Sequence, residues 1–475
     1  MQKLKNFCVK NKMYLGLGVI SLLLFFCEVW APLQWISSVA IVLFTLMCSV
    51  KQLFYFSFYL FAFTGVGYQF VMGITTCLVV MVVKYFIQVA KGEKQIYRRP
   101  IILSTIILIV WSCISYQKSF DGYAMGGMIV YVISMAYIIF VYHKEINISK
   151  CFTYSLAAFV VSFGLAILSR VFPNFNQELF HFDGTYYRLK LLTLHMNNLA
   201  IHMMFQIAFS IYSLFNRKRK LWIDIFAIIF ALYVGLATKS KAFLLVMCVF
   251  VLYVIICLIV KFKKKSIIYI GIMGAILALS IIFGWWYLKA IINRFYIYFK
   301  GTDILNILTT GRADIWELYF NDWKSSPSKI FFGIGIFSAD PHYLGTHNVA
   351  LFLLHRFGIV GIVLITGLIY YYFKEGLNAG ERLSLNIYSC LILIAWCLIS
   401  LEETVLSDQF ILYLYFGLTL LLKDKYHGIE DDEKVTNKTE TFKSNGKSVI
   451  DEIKETIYEK QSQKQINKKL KNKKE

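Results

Sequence analysis

The sequence has little charge and little proline for its length. Of its 475 residues, 16% are charged and five are proline, whereas 58% are hydrophobic. The charged residues gather in short clusters and leave long apolar runs between them. A soluble core has no need of so many uncharged stretches of about 20 residues, the length at which a helix crosses the hydrocarbon of a bilayer. The composition therefore excludes an ordinary soluble protein and favours a polytopic helical membrane protein.

Closely spaced cysteine pairs and the small residues of a leader-peptide cleavage site are also lacking. Ten cysteines are present, but none belongs to a CxxC pair and most lie inside apolar runs, so neither a disulfide framework nor a metal cluster is indicated. The first apolar run follows "MQKLKNFCVKNK" and has no cleavage site of small residues. We expect this run to be the first membrane helix rather than a removed signal peptide.

The apolar runs predict an all-α fold, a polytopic transmembrane helical bundle of about 12 to 14 spans. One domain would cover residues 1–422 and include a large extracytoplasmic loop, residues 288–345, that carries short helices. The candidate spans lie near residues 13–27, 33–50, 53–66, 70–90, 101–116, 123–142, 151–169, 191–215, 221–237, 242–260, 267–287, 346–373, 385–401 and 409–422.

The distribution of basic residues predicts the orientation in the membrane. With the N-terminus inside, the segments that face the cytoplasm before the tail hold 21 Lys and Arg, against 12 in the segments that face outward. Because basic residues in short loops stay in the cytoplasm, both termini are expected there, in the cytoplasmic membrane. The formal net charge of +21 is then mainly a topology signal, so nucleic acid is not an expected partner.

A polar tail, residues 423–475, follows the last apolar run. From residue 460 onward it holds seven lysines and one glutamate. Such a segment is typical of a solvated, disordered tail, and its charge would also suit an anionic membrane surface.

The large outward loop contains a candidate anion site. The stretch "TTGRADIWELYFNDWKSSP" predicts a helix of three to four turns that starts around residues 310–312. Backbone N–H groups at a helix start and the guanidinium of Arg312 both suit a phosphate or diphosphate. Alternatively, Arg312 only pairs with Asp314 or Asp303, or anchors the helix to lipid headgroups. The Gly-x-Gly that follows, in "FFGIGIFSADP", indicates a turn or a close backbone contact.

Histidines lie where two of the predicted spans begin. His347 is at the outer end of a span, where an imidazole is wet enough to accept a proton from a hydroxyl group, although it could equally cap the helix. His195 and His202 are seven residues apart and share a helix face. Because neither has a carboxylate or cysteine partner, we interpret them as a packed polar stripe rather than metal ligands.

Four stretches, taken in order, resemble the O-antigen ligase and polymerase superfamily of bacterial membrane glycosyltransferases. The first two, "RLKLLTLHMNNLA" and "TKSKAFLLV", are similar to its Arg…Asn-x-Leu-Ala and Ser-Arg-x-x-hydrophobic elements. The other two, "GRADIWELYFNDWKSSPSKIFFGIGI" and "THNVALFLLHRFGIVG", are similar to its Arg-x-x-x-Trp helix with Gly-x-Gly and to its His-Asn element. The sequence departs from the family at Lys241, where an Arg is usual, and at Arg356, where many relatives have a Glu.

The resemblance implies glycosyl transfer on the outer face of the cytoplasmic membrane. The donor would be a glycan on a polyprenyl diphosphate, the acceptor a hydroxyl of another glycan, and neither nucleotide, metal nor other cofactor would take part. Arg188 and Arg312 would hold the diphosphate, and His347 would remove the proton of the acceptor hydroxyl. The remaining expected substrate-binding residues are Lys239, Lys241, Asn348, Arg356, Glu402 and Glu403. Arg356, deep in a span, should pair with Glu402 or Glu403 or with the phosphates, because a lone charge there is costly.

Three functions remain open on this sequence. The favoured one is a polymerase of capsular or exopolysaccharide repeat units, with a ligase that transfers finished glycan as its nearest alternative; either could assemble with other polysaccharide-export proteins. A flippase for the same lipid-linked oligosaccharide would also have many spans and basic residues, but it should show two related halves and charges along a central cavity. A structural membrane partner would leave the Arg and His residues unexplained.

Overall fold

The computed structural model shows a mostly helical chain. It describes residues 12–27, 32–63, 68–94, 98–114, 146–169, 180–182, 187–191, 196–216, 218–262, 289, 312–336, 338, 347–378, 382–383, 413 and 422–423. Of the predicted spans, 123–142, 267–287 and 385–401 lie outside the described residues, as does nearly all of 409–422.

Most of the described helices lie where the apolar runs predicted them, and two lie in the predicted outward loop. Their bounds are α1 Lys12–Cys27, α2 Pro32–Met47, α3 Val50–Leu60 with a 3-10 turn at Phe61–Phe63, α4 Tyr68–Ala90, α5 Arg98–Cys113, α6 Ile148–Ser169, α7 Met196–Asn216, α8 Leu221–Ala237 and α9 Lys241–Phe262, followed by α10 Arg312–Trp323, α11 Pro327–Phe332 and α12 Val349–Asn378. Local signals set several ends. Ser49 and Gln52 form a capping box at the start of α3, and Pro327 occupies the first turn of α11.

Two of the described helices are long and apolar enough to cross a membrane. They are α6, with 22 residues, and the segment Val349–Tyr371 of α12, with 23 residues. Shorter apolar helical segments of 10–17 residues are Met13–Cys27, Leu33–Met47, Thr76–Ala90, Arg99–Cys113, Leu221–Ala237 and Lys241–Ile256. A mostly helical fold is thus confirmed, while the bundle of about 12 to 14 spans stays a prediction.

The buried core is rich in aromatic rings. Phe152 of α6 stacks on Phe209 of α7 with ring centroids 4.1 Å apart, and Tyr413 stacks on Phe205 at 4.2 Å. Phe58 and Phe61 pack edge-on against the same tyrosine. These contacts bring α3, α6 and α7 together around one apolar cluster.

Helices α7 and α8 form a tight helical hairpin that is closed by a buried ion pair. Arg219, in the turn, donates from its Nε to Asp224 Oδ1 at 2.7 Å and from its Nη2 to Ser210 Oγ at 2.8 Å. Ser213 donates to the other carboxylate oxygen of Asp224. One of the basic residues that predicted the topology therefore also holds two helices together.

A small β-hairpin departs from the all-α expectation. Strands β1, Phe180–Phe182, and β2, Tyr187–Leu189, pair antiparallel, with His181 opposite Arg188. The sequence between them contains Asp-Gly, a pair typical of hairpin turns, with aromatic residues on either side. Two-residue strands, Arg382–Leu383 and Leu422–Lys423, are also present.

The chain divides into two units. The larger contains residues 1–379 and 383–423, which include every helix above. The smaller contains residues 380–382 and 424–475, of which the structure describes Arg382.

Candidate functional site

Arg188 joins the first two of the four stretches. It lies on β2 and is 6% exposed. Its Nε donates to the backbone carbonyl of Thr238 at 2.8 Å, and its Nη2 donates to Asn197 Oδ1 at 3.0 Å. The guanidinium is therefore held in a fixed orientation between the end of α8 and the first turn of α7.

The segment between α8 and α9 carries two lysines just after the carbonyl that Arg188 binds. Thr238 ends α8, and its hydroxyl donates to the carbonyl of Gly235 at 2.6 Å. Lys239 follows with φ +52°, a left-handed conformation that bends the chain sharply before α9 begins at Lys241. The ammonium nitrogen of Lys241 is buried. A role for either lysine in substrate binding stays a prediction.

The predicted loop helix is confirmed as α10, which begins at Arg312 and runs for 12 residues. Its inner side packs against α12. Tyr319 is buried edge-on against the ring of His355, with centroids 5.0 Å apart. Asp322 Oδ2 and His355 Nε2 are 2.7 Å apart, and Lys329 Nζ donates to Asp322 Oδ1 at 2.8 Å.

The carboxylate of Asp322 is stabilised as an anion. Partial burial acts to raise its pKa, but the hydrogen bonds from Lys329 and His355 outweigh burial and lower the pKa below its ordinary value of 3.8. His355 is 1% exposed, so its ring is held by Asp322 on one side and Tyr319 on the other. This contact connects the third stretch to the fourth.

Helix α12 is broken at Gly358, in the middle of a run that the sequence predicted as one continuous span. Gly358 has φ +62° and ψ −172°, which lies outside helical geometry. The break frees carbonyls of the preceding turn, and the Gly-x-Gly segment supplies their donors. Ile334 N donates to the carbonyl of His355 at 2.8 Å, and Gly335 N donates to that of Arg356 at 3.0 Å.

Glycine is required on both sides of this contact. A Cβ on Gly333 would lie 2.5 Å from the backbone of Arg356, and a Cβ on Gly358 would lie 2.4 Å from the carbonyl oxygen of Phe331. Both residues also have positive φ. The prediction that Gly-x-Gly marks a close backbone contact is thus confirmed.

Trp111 of α5 completes the contact. Its indole Nε1 donates to the carbonyl of Phe332, just before Gly333, at 2.7 Å and to that of Phe357, just before Gly358, at 2.9 Å. Its own carbonyl accepts from Ile336 N at 3.2 Å. Trp111 lies inside an apolar run and carries no local sequence signal of such a role.

The start of α12 carries the predicted base. His347 has φ +47°, and Asn348 follows it. Asn348 Oδ1 accepts from Leu351 N at 3.0 Å, so the asparagine is the residue that caps the helix. Asn348 thus supplies the cap that was the alternative role of His347. The role of His347 as a base stays a prediction.

Arg356 is held by backbone carbonyls. Its Nη1 donates to the carbonyls of Gly335 and Ser338, and its guanidinium carbon lies 6.0 Å from the centre of the Phe352 ring. Its expected partners, Glu402 and Glu403, lie outside the described residues. Backbone carbonyls are thus one set of partners that stabilises this guanidinium.

The structure therefore brings the four stretches together as two pairs. Arg188 meets the carbonyl that precedes Lys239, and the helix of Arg312 packs on the helix that follows His347. The convergence of Arg188, Arg312 and His347 in one cavity stays a prediction. Sequence reasoning missed Asp322 and Lys329, because Asp322 and His355 are 33 positions apart and no local pattern links them.

Among the described residues, no group of three or more His, Cys, Asp or Glu side chains is arranged to hold a metal ion. The expectation of chemistry without metal or nucleotide stays a prediction. No family model, curated protein or solved structure matches this chain.

Proposed function

We propose that the protein is a membrane glycosyltransferase that polymerises polyprenyl-diphosphate-linked oligosaccharide repeat units on the outer face of the cytoplasmic membrane. The chain would form a polytopic transmembrane helical bundle with both termini in the cytoplasm. The observation that carries the proposal is the pairing in space of stretches that are distant in the sequence. Arg188 contacts Thr238, and Asp322 contacts His355.

The residue types proposed for the site suit the chemistry of a lipid-linked donor. Such a substrate presents a prenyl chain, then a diphosphate, then a sugar, so its enzyme needs apolar helices, cations and a base in that order. Arg188 and Arg312 would bind the diphosphate as bidentate donors and stabilise the charge that grows on it as the glycosidic bond breaks. His347 would take the proton of the acceptor hydroxyl as that oxygen attacks the anomeric carbon.

Lys239, Lys241 and Asn348 would line the same site. A lysine is a point charge rather than a fork, so Lys241 would contact a phosphate through one oxygen. The contacts of the partly buried Arg356 with the carbonyls of Gly335 and Ser338 favour a role in holding the loop near the substrate. Glu402 and Glu403 would be further candidates for polar contacts.

Chain growth by the purified protein in vesicles tests the proposal. Supplied with lipid-diphosphate repeat units, a chelator and no nucleotide, the wild type should lengthen the glycan. His347→Ala and Arg312→Gln should abolish growth, whereas Lys190→Ala, which removes a positive charge beside Arg188, should retain it. Absence of growth by folded wild-type protein contradicts the proposal.

The variant His347→Ala also separates an enzyme from a flippase. In vesicles that report translocation of the lipid-linked oligosaccharide, His347→Ala should leave translocation at the wild-type level. Loss of translocation together with loss of chain growth would favour the transporter.

A further inference from the structure

Helix α7 carries a row of buried polar side chains. His202, Gln206 and Ser210 are spaced four residues apart, so they lie on one face of the helix, and each is at most 1% exposed. This face is turned into the core, where polar atoms normally have hydrogen-bond partners.

The two ends of the row are partnered. His202 Nδ1 lies 2.9 Å from the hydroxyl of Tyr413. Ser210 Oγ accepts from Arg219 Nη2 at 2.8 Å and donates to the carbonyl of Gln206. The side chain of Gln206 lies between these ends, and neither its Oε1 nor its Nε2 has a hydrogen-bond partner among the described residues.

A second buried polar group lies on α6, at the level of Gln206 on α7. Helix α6 runs antiparallel to α7, because Phe152 stacks on Phe209 at 4.1 Å while Phe159 packs on His202 at 5.2 Å. Ser155 therefore lies opposite residues 205–206. Its side chain is 0% exposed, and its polar neighbour is the hydroxyl of Tyr413, the residue that also contacts His202.

An amide in this position is unfavourable without a polar ligand, because its dehydration is not offset by any hydrogen bond. A methionine would fill the same volume without that cost. Gln206 offers one acceptor and two donors, and Ser155 offers a hydroxyl that can do either. Both groups are neutral and lie at the same level of two packed helices, which suits a small uncharged molecule that both donates and accepts.

We propose that Gln206 and Ser155 bind an internal water molecule between α6 and α7. The water completes the polar row from the His202–Tyr413 pair to the Arg219–Asp224 pair. It makes α7 a hydrated element of the core, a feature independent of the glycosyltransferase proposal.

Hydroxyl-radical labelling of the full-length protein tests for this water. A short X-ray pulse generates radicals at bound water, so side chains beside it gain oxygen although bulk solvent cannot reach them. Phe205 and Tyr413 should be labelled faster than Phe56, which is equally buried among apolar groups. In H₂¹⁸O, the label at these two sites should change isotope more slowly than at exposed residues.

Gln206→Met is the matched variant. It should remove the labelling of Phe205 and Tyr413, leave that of Phe56 unchanged and lower the melting temperature. Labelling of all three residues at the same low rate in the wild type overturns the proposal. So does a higher melting temperature of Gln206→Met, which would show that the amide was buried without a ligand.

Discussion

Removal of the Asp322–His355 contact should loosen the loop helix from α12. A hydrogen bond to a charged group contributes about 1.5–3 kcal/mol when its partner is buried, and His355 is 1% exposed. The link from Asp322 to Lys329 is more exposed and adds about 0.2–1 kcal/mol. Asp322→Ala should therefore lower the free energy of unfolding by about 2–4 kcal/mol.

A double-mutant cycle isolates the contact itself. The free energy of unfolding in detergent would be measured for the wild type, Asp322→Ala, His355→Ala and the double variant. The coupling energy should be about 1.5–3 kcal/mol. Glu317→Ala, an exposed acidic residue on the same helix, serves as control and should change stability by no more than about 0.5 kcal/mol. A coupling energy near zero would refute the reasoning that this pair holds α10 on α12.

Three further predictions concern pH, glycine and the buried ion pair. The pKa of Asp322 is lowered in the folded state, so its contribution to the free energy of unfolding is complete above pH 3.8 and is lost as the pH falls through the folded pKa. The difference in the free energy of unfolding between wild type and Asp322→Asn should therefore shrink below pH 3.8. Gly358→Ala should destabilise by more than the roughly 1–3 kcal/mol of backbone strain alone, because its Cβ meets a carbonyl, whereas Gly164→Ala, with open space around it, should be neutral or slightly stabilising by thermal unfolding. Asp224→Ala should cost about 3–5 kcal/mol, measured by denaturant unfolding, because it leaves the buried guanidinium of Arg219 without its carboxylate.

Much of the helical architecture is readable from the sequence because it depends on local patterns. Apolar runs bounded by charge clusters predicted α1 to α9 and α12, and the acidic first turn after Arg312 predicted the start of α10. The β-hairpin was missed, although Asp-Gly between aromatic residues was a local signal for it.

The junction at Gly358 could not be predicted in the same way. A glycine inside an apolar run is compatible with a continuous helix, and the break is stabilised by groups far away in the chain. Trp111 donates to Phe357 across 246 positions, and Asp322 reaches His355 across 33. Such pairings follow from tertiary packing, on which helical periodicity carries no information.

The candidate site was readable in part. The sequence identified Arg188 and the segment at Thr238 as members of one set, and the structure places them in contact. For the charge at Arg356, the sequence predicted a carboxylate or the phosphates of the substrate as the partner. Backbone carbonyls freed by an irregular loop were a less obvious partner, because only the folded loop puts Ser338 beside that guanidinium.

The central claim is that two guanidinium groups and one imidazole surround the diphosphate of a lipid-linked donor. An experimental structure of the full-length protein in lipid with a bound polyprenyl diphosphate tests it most directly. The account predicts guanidinium nitrogens of Arg188 and Arg312 at hydrogen-bonding distance, about 3 Å, from phosphate oxygens, with the His347 ring facing the sugar side. A diphosphate bound away from these residues, or bound with the three side chains on different sides of the membrane, would contradict it.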